Sequence, residues 1–249
     1  MKALNRFSTL VIAAGLLTAC GGDSSSSSPP VLPPGPVVSE TLSFELSVTN
    51  LTLAQPLSPP AVFLHSSGYG AFVDGDSASV ALEVLAEGGD RTDLVTEVTN
   101  SGTLLASYDD ANPVGPMSIG PTVTLEIPSD EADDVRLTAV TMLVHTNDAF
   151  TGLNAVDVTG MAVGESRVFS TPTWDAGTEA NSENAASMPG PDFGGEGFNP
   201  TRDEAIDRVR FHQGVVTSAS LESGDPNSAL GDQHRFDNPT GRIRITRVQ

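Results

Sequence analysis

The stretch STPTWDAGTEANSE, Ser170 to Glu183, holds the only tryptophan of the chain and three acids four residues apart, Asp175, Glu179 and Glu183. Hard cations such as calcium take several oxygen ligands at one point, carboxylates together with backbone carbonyls. Gly177, between the first two acids, lets the backbone curl so that carbonyls turn inward. A second acidic loop, HTNDAF, puts Asn147 and Asp148 directly after an apolar run that ends near His145. Two such loops at one end of a sandwich bring Asp148, Asp175 and Glu179 together, with Asn181 and Glu183 as outer candidates. The string D-x-[DN]-x-[DN]-G is missing, so the pattern is not that of an EF-hand. Asp and Glu also fill ordinary surface loops, and the DEADD run from Asp130 to Asp134 reads as a solvated turn.

Other chemistry has less to build on. The four histidines, His65, His145, His212 and His234, are far apart and form no H-x-x-x-H pair. A zinc or copper site needs two or three to converge, and separate, satisfied or exposed side chains are the simpler expectation. No G-x-S-x-G elbow and no glycine-rich phosphate loop occurs. Ser-His-Asp groups meet in space rather than in sequence. An envelope hydrolase using His145 or His212 with nearby acids therefore stands as the alternative to a non-enzymatic protein. Trp174 reads as a loop anchor rather than a sugar-stacking platform.

The elements that must position these loops are mostly strands. LSFELSVTNLTL alternates Phe44, Leu46 and Val48 against Glu45, Ser47 and Thr49, and PTVTLEIP sets Val123, Leu125 and Ile127 on one face. DVRLTAVTMLVH is a longer apolar run, suited to a central strand covered on both faces. GRIRITRV points Ile243 and Ile245 inward and Arg242 and Arg244 outward, as on the solvent face of an edge strand. SASVALEVLAEGGD, Ser77 to Asp90, fits a short helix stopped by Gly88 and Gly89. Asn184 to Pro200 has no period and predicts a long functional loop. Short strands among 24 glycines and 18 prolines predict an all-β fold, an antiparallel β-sandwich with one or two short helices and long loops.

Residues 1–19 read as a signal peptide, with Lys2 and Arg6 before the short apolar run Leu10 to Leu17. LTAC resembles the bacterial lipobox, which makes Cys20, the only cysteine, a lipidation site. Residues 20–40 form a Ser/Pro-rich tether by composition, and residues 41–249 a single domain. Gly21, not Asp, follows Cys20, which points to an outer-membrane lipoprotein. The net charge is −20, and residues 41–200 carry 23 acids against Arg91, Arg136 and Arg167. Such a surface repels nucleic acid and anionic lipid and attracts metal cations.

The segment AVTMLVHTNDAFTGLNAVDV followed by TPTWDAGTEANSE resembles the spondin N-terminal (F-spondin) domain. The likeness extends to FELSVTNLT, QPLSPP, LAEGGD, FHQGV and RIRITRV, and so covers nearly the whole domain. The resemblance implies a sandwich similar to a C2 domain, with calcium held at one end by Asp148, Asp175 and Glu179. The last of these is an aspartate in the animal members, whose disulfides and neighbouring reelin or thrombospondin repeats this chain lacks. Together these readings imply a calcium-binding, membrane-anchored lipoprotein that binds or adheres to a surface protein or polysaccharide. A purely structural envelope component is the third possibility.

Overall fold

The computed structural model describes residues 40–109, 112–219 and 226–249. Cys20, the signal segment and the tether up to residue 39 lie outside the described residues. In chain order the elements begin with β1 (Thr41–Asn50), β2 (Ala61–His65), α1 (Val80–Gly88), α2 (Thr92–Asn100), β3 (Leu104–Tyr108) and β4 (Val123–Pro128). They continue with β5 (Arg136–Met142), β6 (Ala149–Asp157), β7 (Ser166–Thr171), β8 (Thr173–Asp175), β9 (Arg210–Phe211) and β10 (Gly241–Arg247). The strands make two antiparallel sheets, β4-β1-β10-β7 and β3-β2-β5-β6-β8-β9. The chain is thus the all-β sandwich with short helices that its alternating pattern predicts.

Alternation places the core. Phe44 and Leu46 of β1, Leu125 and Ile127 of β4, and Ile243 and Ile245 of β10 face Val62, Leu64 and Leu137 of the larger sheet. Fully burying each such side chain contributes roughly 1.5–3 kcal/mol. The other face of the larger sheet is covered too. Phe63, Val140 and Phe150 pack against Leu82 and Leu85 of α1 and Leu94 and Val98 of α2. This explains why β5 is buried from Leu137 to Met142: it lies mid-sheet with both faces covered. The small sheet instead leaves its outer face to water, where Arg242 and Arg244 are exposed.

β10 is not an edge strand. It pairs with β1 on one side and β7 on the other. An open outer face gives a central strand the same in-out pattern as an edge strand, so alternation alone does not separate them.

α1 starts where Ser79 accepts a hydrogen bond from the Leu82 amide and ends at Gly89, whose left-handed backbone (φ 71°) returns its N–H to Leu85. α2 follows at once, burying Leu94 and Val98 four residues apart. Between β7 and β8 the chain crosses from one sheet to the other. Thr151 donates its hydroxyl to Thr171 and to the Pro172 carbonyl, and Thr173 and Thr240 share a 2.6 Å hydrogen bond. That threonine corner fixes where β8 begins, and β8 ends two residues on, at Asp175. Among the described residues no helix is long and apolar enough to cross a membrane.

Candidate cation site

Strand register brings the two acidic loops together. Ala149, the first residue of β6, pairs with Asp175, the last of β8. Asp148 therefore sits one residue outside the ladder, opposite the start of AGTEA, and its carbonyl accepts from the Ala176 amide at 3.2 Å. The turn that follows depends on Gly177, whose φ is +74°. A Cβ there would stand 2.5 Å from the Arg208 backbone N and O, so only glycine allows the loop to fold against that segment.

Asp148 is fully buried. One carboxylate oxygen, Oδ2, accepts from the Thr178 amide (2.8 Å), the Thr178 hydroxyl (3.3 Å) and the Glu179 amide (3.1 Å). The other, Oδ1, has no hydrogen-bond donor. Burial first, and then the charge of Asp175, push the Asp148 carboxyl up to about 7 despite those donors. Glu179 is half-buried, and its Oε2 also lacks a donor. Burial, followed by the charges of Glu87, Asp148 and Asp203, pushes Glu179 up to about 8 against a hydrogen bond from Asn147.

Glu87 is the member that sequence reasoning missed. It points from the last turn of α1 into the protein, 1% exposed, with the Asn199 amide 2.9 Å from its Oε2. Its pKa is raised, mainly by burial. A buried glutamate on an amphipathic helix was the available signal, because helical spacing sets Glu83 and Glu87 on one face. Glu83 takes Arg202 at 2.7 Å, whereas Glu87 has no cation at that distance.

Asp175 stands beside this group but is already satisfied. Its Oδ1 accepts from the Gly177 amide at 2.8 Å, and its Oδ2 from Asn181 (2.7 Å) and Arg210 (2.9 Å). Burial still raises its pKa, with Asn181 and Arg210 opposing. Asn181 is half-buried and Glu183 fully buried at the end of the same turn. The Glu183 amide, with φ +45° at that residue, donates to Asn147 Oδ1. Among the described residues no three His, Cys, Asp or Glu side chains already stand at ligand spacing around one point. What the fold gathers is a buried acidic cluster with Asp148 Oδ1 and Glu179 Oε2 unmatched and the Glu87 charge acting on both. That donor set is all oxygen, which suits a hard cation rather than a soft one.

The histidines divide. His65 is buried between Ser66 O and Thr138 Oγ1. His212 is buried, its Nδ1 accepting from the Gly214 amide and its Nε2 meeting Asn181 Oδ1 at 3.2 Å. Burial, then the Arg210 charge, push it down to about 4. His145 and His234, expected to stay apart, lie against each other with ring centroids 5.4 Å apart. Trp174 is an anchor, wedged between Phe72 (5.4 Å) and a parallel Phe211 (4.4 Å). DEADD begins as a single exposed turn, and Asp134 beyond it binds the Ser67 amide and Arg136.

No protein-family model matches this sequence, and no curated protein is similar to it.

Proposed function

We propose that this protein is a calcium-binding, spondin-type domain, held at the outer membrane by lipid on Cys20, which binds or adheres to a surface protein or polysaccharide. The observation that carries the calcium reading is the pair of buried carboxylate oxygens, Asp148 Oδ1 and Glu179 Oε2, that receive no donor. Uncompensated buried carboxylates are costly, and a divalent cation offsets both desolvation and mutual repulsion. Asp148 and Glu179 would hold the ion with Glu87, and Asp175 would brace the turn through Arg210. Bound calcium would fix the 175–183 turn, the 145–148 loop and the end of α1 as one rigid surface. The anchor and tether rest on the lipobox-like LTAC and the Ser/Pro composition.

Support for a hydrolase built on His212 is thin. Both of its ring nitrogens are engaged inside the protein, and its depressed pKa makes it a poor base.

Calorimetric titration with calcium and pull-downs from envelope extracts, each with and without chelator, test the proposal. Expected are saturable binding that Asp148→Asn abolishes and a partner retained only in calcium. Heat-silent titration and a capture pattern indifferent to chelator would overturn it.

A further inference from the structure

The long loop from Asn184 to Pro200 is fastened near its tip by one ion pair. Asp192 Oδ2 lies 3.0 Å from His145 Nε2, and the neighbouring Phe193 ring stands edge-on to the imidazole at 5.0 Å. The other ring nitrogen, Nδ1, is 3.1 Å from the Ala54 carbonyl oxygen. The backbone that carries the histidine is held in place. Buried Gln55 accepts from the His145 amide (3.1 Å) and donates to the carbonyls of both His145 (3.0 Å) and His234 (3.1 Å).

Both oxygens facing the imidazole are acceptors. A carbonyl carries no proton, and an ionised carboxylate carries none either. Two such bonds need an N–H on each ring nitrogen, and a neutral imidazole has only one. We propose that His145, as the doubly protonated imidazolium, latches the Asp192–Phe193 tip of this loop to the sandwich, and that loss of its proton releases the tip. The structure is that of the closed state.

The groups that face His145 are few. From the loop there is Asp192, whose carboxylate is largely exposed. From the 231–234 turn there is His234, whose pKa is lowered by burial and by the charge of His145. Its Nδ1 is engaged by the Gly231 backbone. Ala54 and Gln55 bring no charge. Among these groups Asp192 is the one acid within hydrogen-bond distance of the ring, and His234 is the one histidine against it. Loss of the proton removes a charge-assisted hydrogen bond and leaves the carboxylate and a ring lone pair confronting each other. The Asp192–Phe193 tip then keeps only the packing of Phe193 on the histidine rings and on the buried Met188, Val215 and Leu230. The same loop also reaches the acidic site, through Asn199 to Glu87 and through Ser187 to Asn147, so calcium must be held constant when the latch is tested.

Hydrogen exchange over residues 186–196 tests this, at about pH 5.5 and about pH 8, either side of the ordinary histidine range. Calcium is held constant and the intrinsic rate is divided out. Expected is about tenfold more opening at the higher pH, the weight of one charge-assisted hydrogen bond. Asp192→Asn, at an exposed site that leaves the core untouched, abolishes the pH effect, as does His145→Gln. His234→Gln keeps it. Nitrogen NMR of the imidazole finds both ring nitrogens protonated when the tip is closed. Equal protection at the two pH values, a pH effect that survives Asp192→Asn, or one lost only in His234→Gln would overturn the proposal.

Discussion

Thr178 donates both its amide and its hydroxyl to one oxygen of Asp148, while the other oxygen of that buried carboxylate receives nothing. The asymmetry is informative. Three donors, counting the Glu179 amide, fix the carboxylate's orientation, and the charges of Asp175 and Glu87 act on it. The fold holds a buried carboxyl group firmly in place and leaves one of its oxygens without a donor.

The first prediction concerns pH. Asp148 and Glu179, raised in the folded state to about 7 and about 8, bind protons more tightly there than in the unfolded chain. Their contribution to stability is therefore present in acid and lost as pH rises through those values. In chelator, the melting temperature falls between about pH 5 and about pH 8. Calcium replaces the protons, so its stabilising effect is larger at about pH 8 than at about pH 6. Melting curves at the two pH values, with calcium and with chelator, check this. An equal calcium effect at both would contradict it.

His212 works in the opposite sense. Its folded pKa, about 4, lies below the ordinary 6.5, so its contribution is complete above 6.5 and is lost as pH falls towards 4. The loss is on the order of 3 kcal/mol for so deeply buried an imidazole. Urea unfolding across that range gives a falling stability for the wild type and a flatter profile for His212→Gln. Parallel profiles would remove His212 as the cause.

The buried Asp175–Arg210 pair predicts strong non-additivity. Arg210→Ala leaves the Asp175 carboxylate buried without its cation and costs about 3–5 kcal/mol. Asp175→Asn costs less, because the Asn181 and Gly177 contacts can still be made in part. In the double variant much of the Arg210→Ala loss is recovered. A double-mutant cycle by denaturant unfolding measures the coupling, and strict additivity would mean that the pair is not coupled.

Gly177→Ala meets both an unfavourable φ and the Arg208 backbone. The loss exceeds about 2 kcal/mol, and calcium affinity falls with it because Thr178 and Glu179 lose their register on Asp148. Ala176→Gly, one position earlier, serves as the control. A Gly177→Ala protein as stable as the control would mean that the turn is not held as described.

Much of this fold is legible in the sequence because strand pattern and burial coincide. β1, β4 and β10 show their inward residues by simple alternation, β5 declares its two covered faces by its largely apolar run, and Gly89 marks the end of α1. α2 is harder, since Thr, Val and Asn are indifferent helix formers and only Leu94 and Val98 carry its buried stripe. The position of β10 in the sheet is not written in its own residues at all. At the site, Asp148, Asp175 and Gly177 are readable from WDAGTE and HTNDAF, and the β6–β8 register does bring those loops together. The engagement of Asp175 by Arg210, the arrival of Glu87 from α1, and the meeting of His145 with His234 and Asp192 are not readable. Each depends on tertiary placement of residues that are distant in the chain.

Thermal unfolding in calcium and in chelator, for the wild type and Asp148→Asn, tests the central claim most directly. At a calcium concentration a hundredfold above the dissociation constant, linkage predicts a gain of about 2.7 kcal/mol. The account predicts that gain as a clear rise in melting temperature for the wild type. It predicts none for Asp148→Asn, whose stability in chelator at about pH 8 exceeds that of the wild type because a repelling charge has gone. Identical wild-type melting curves in calcium and chelator would contradict it.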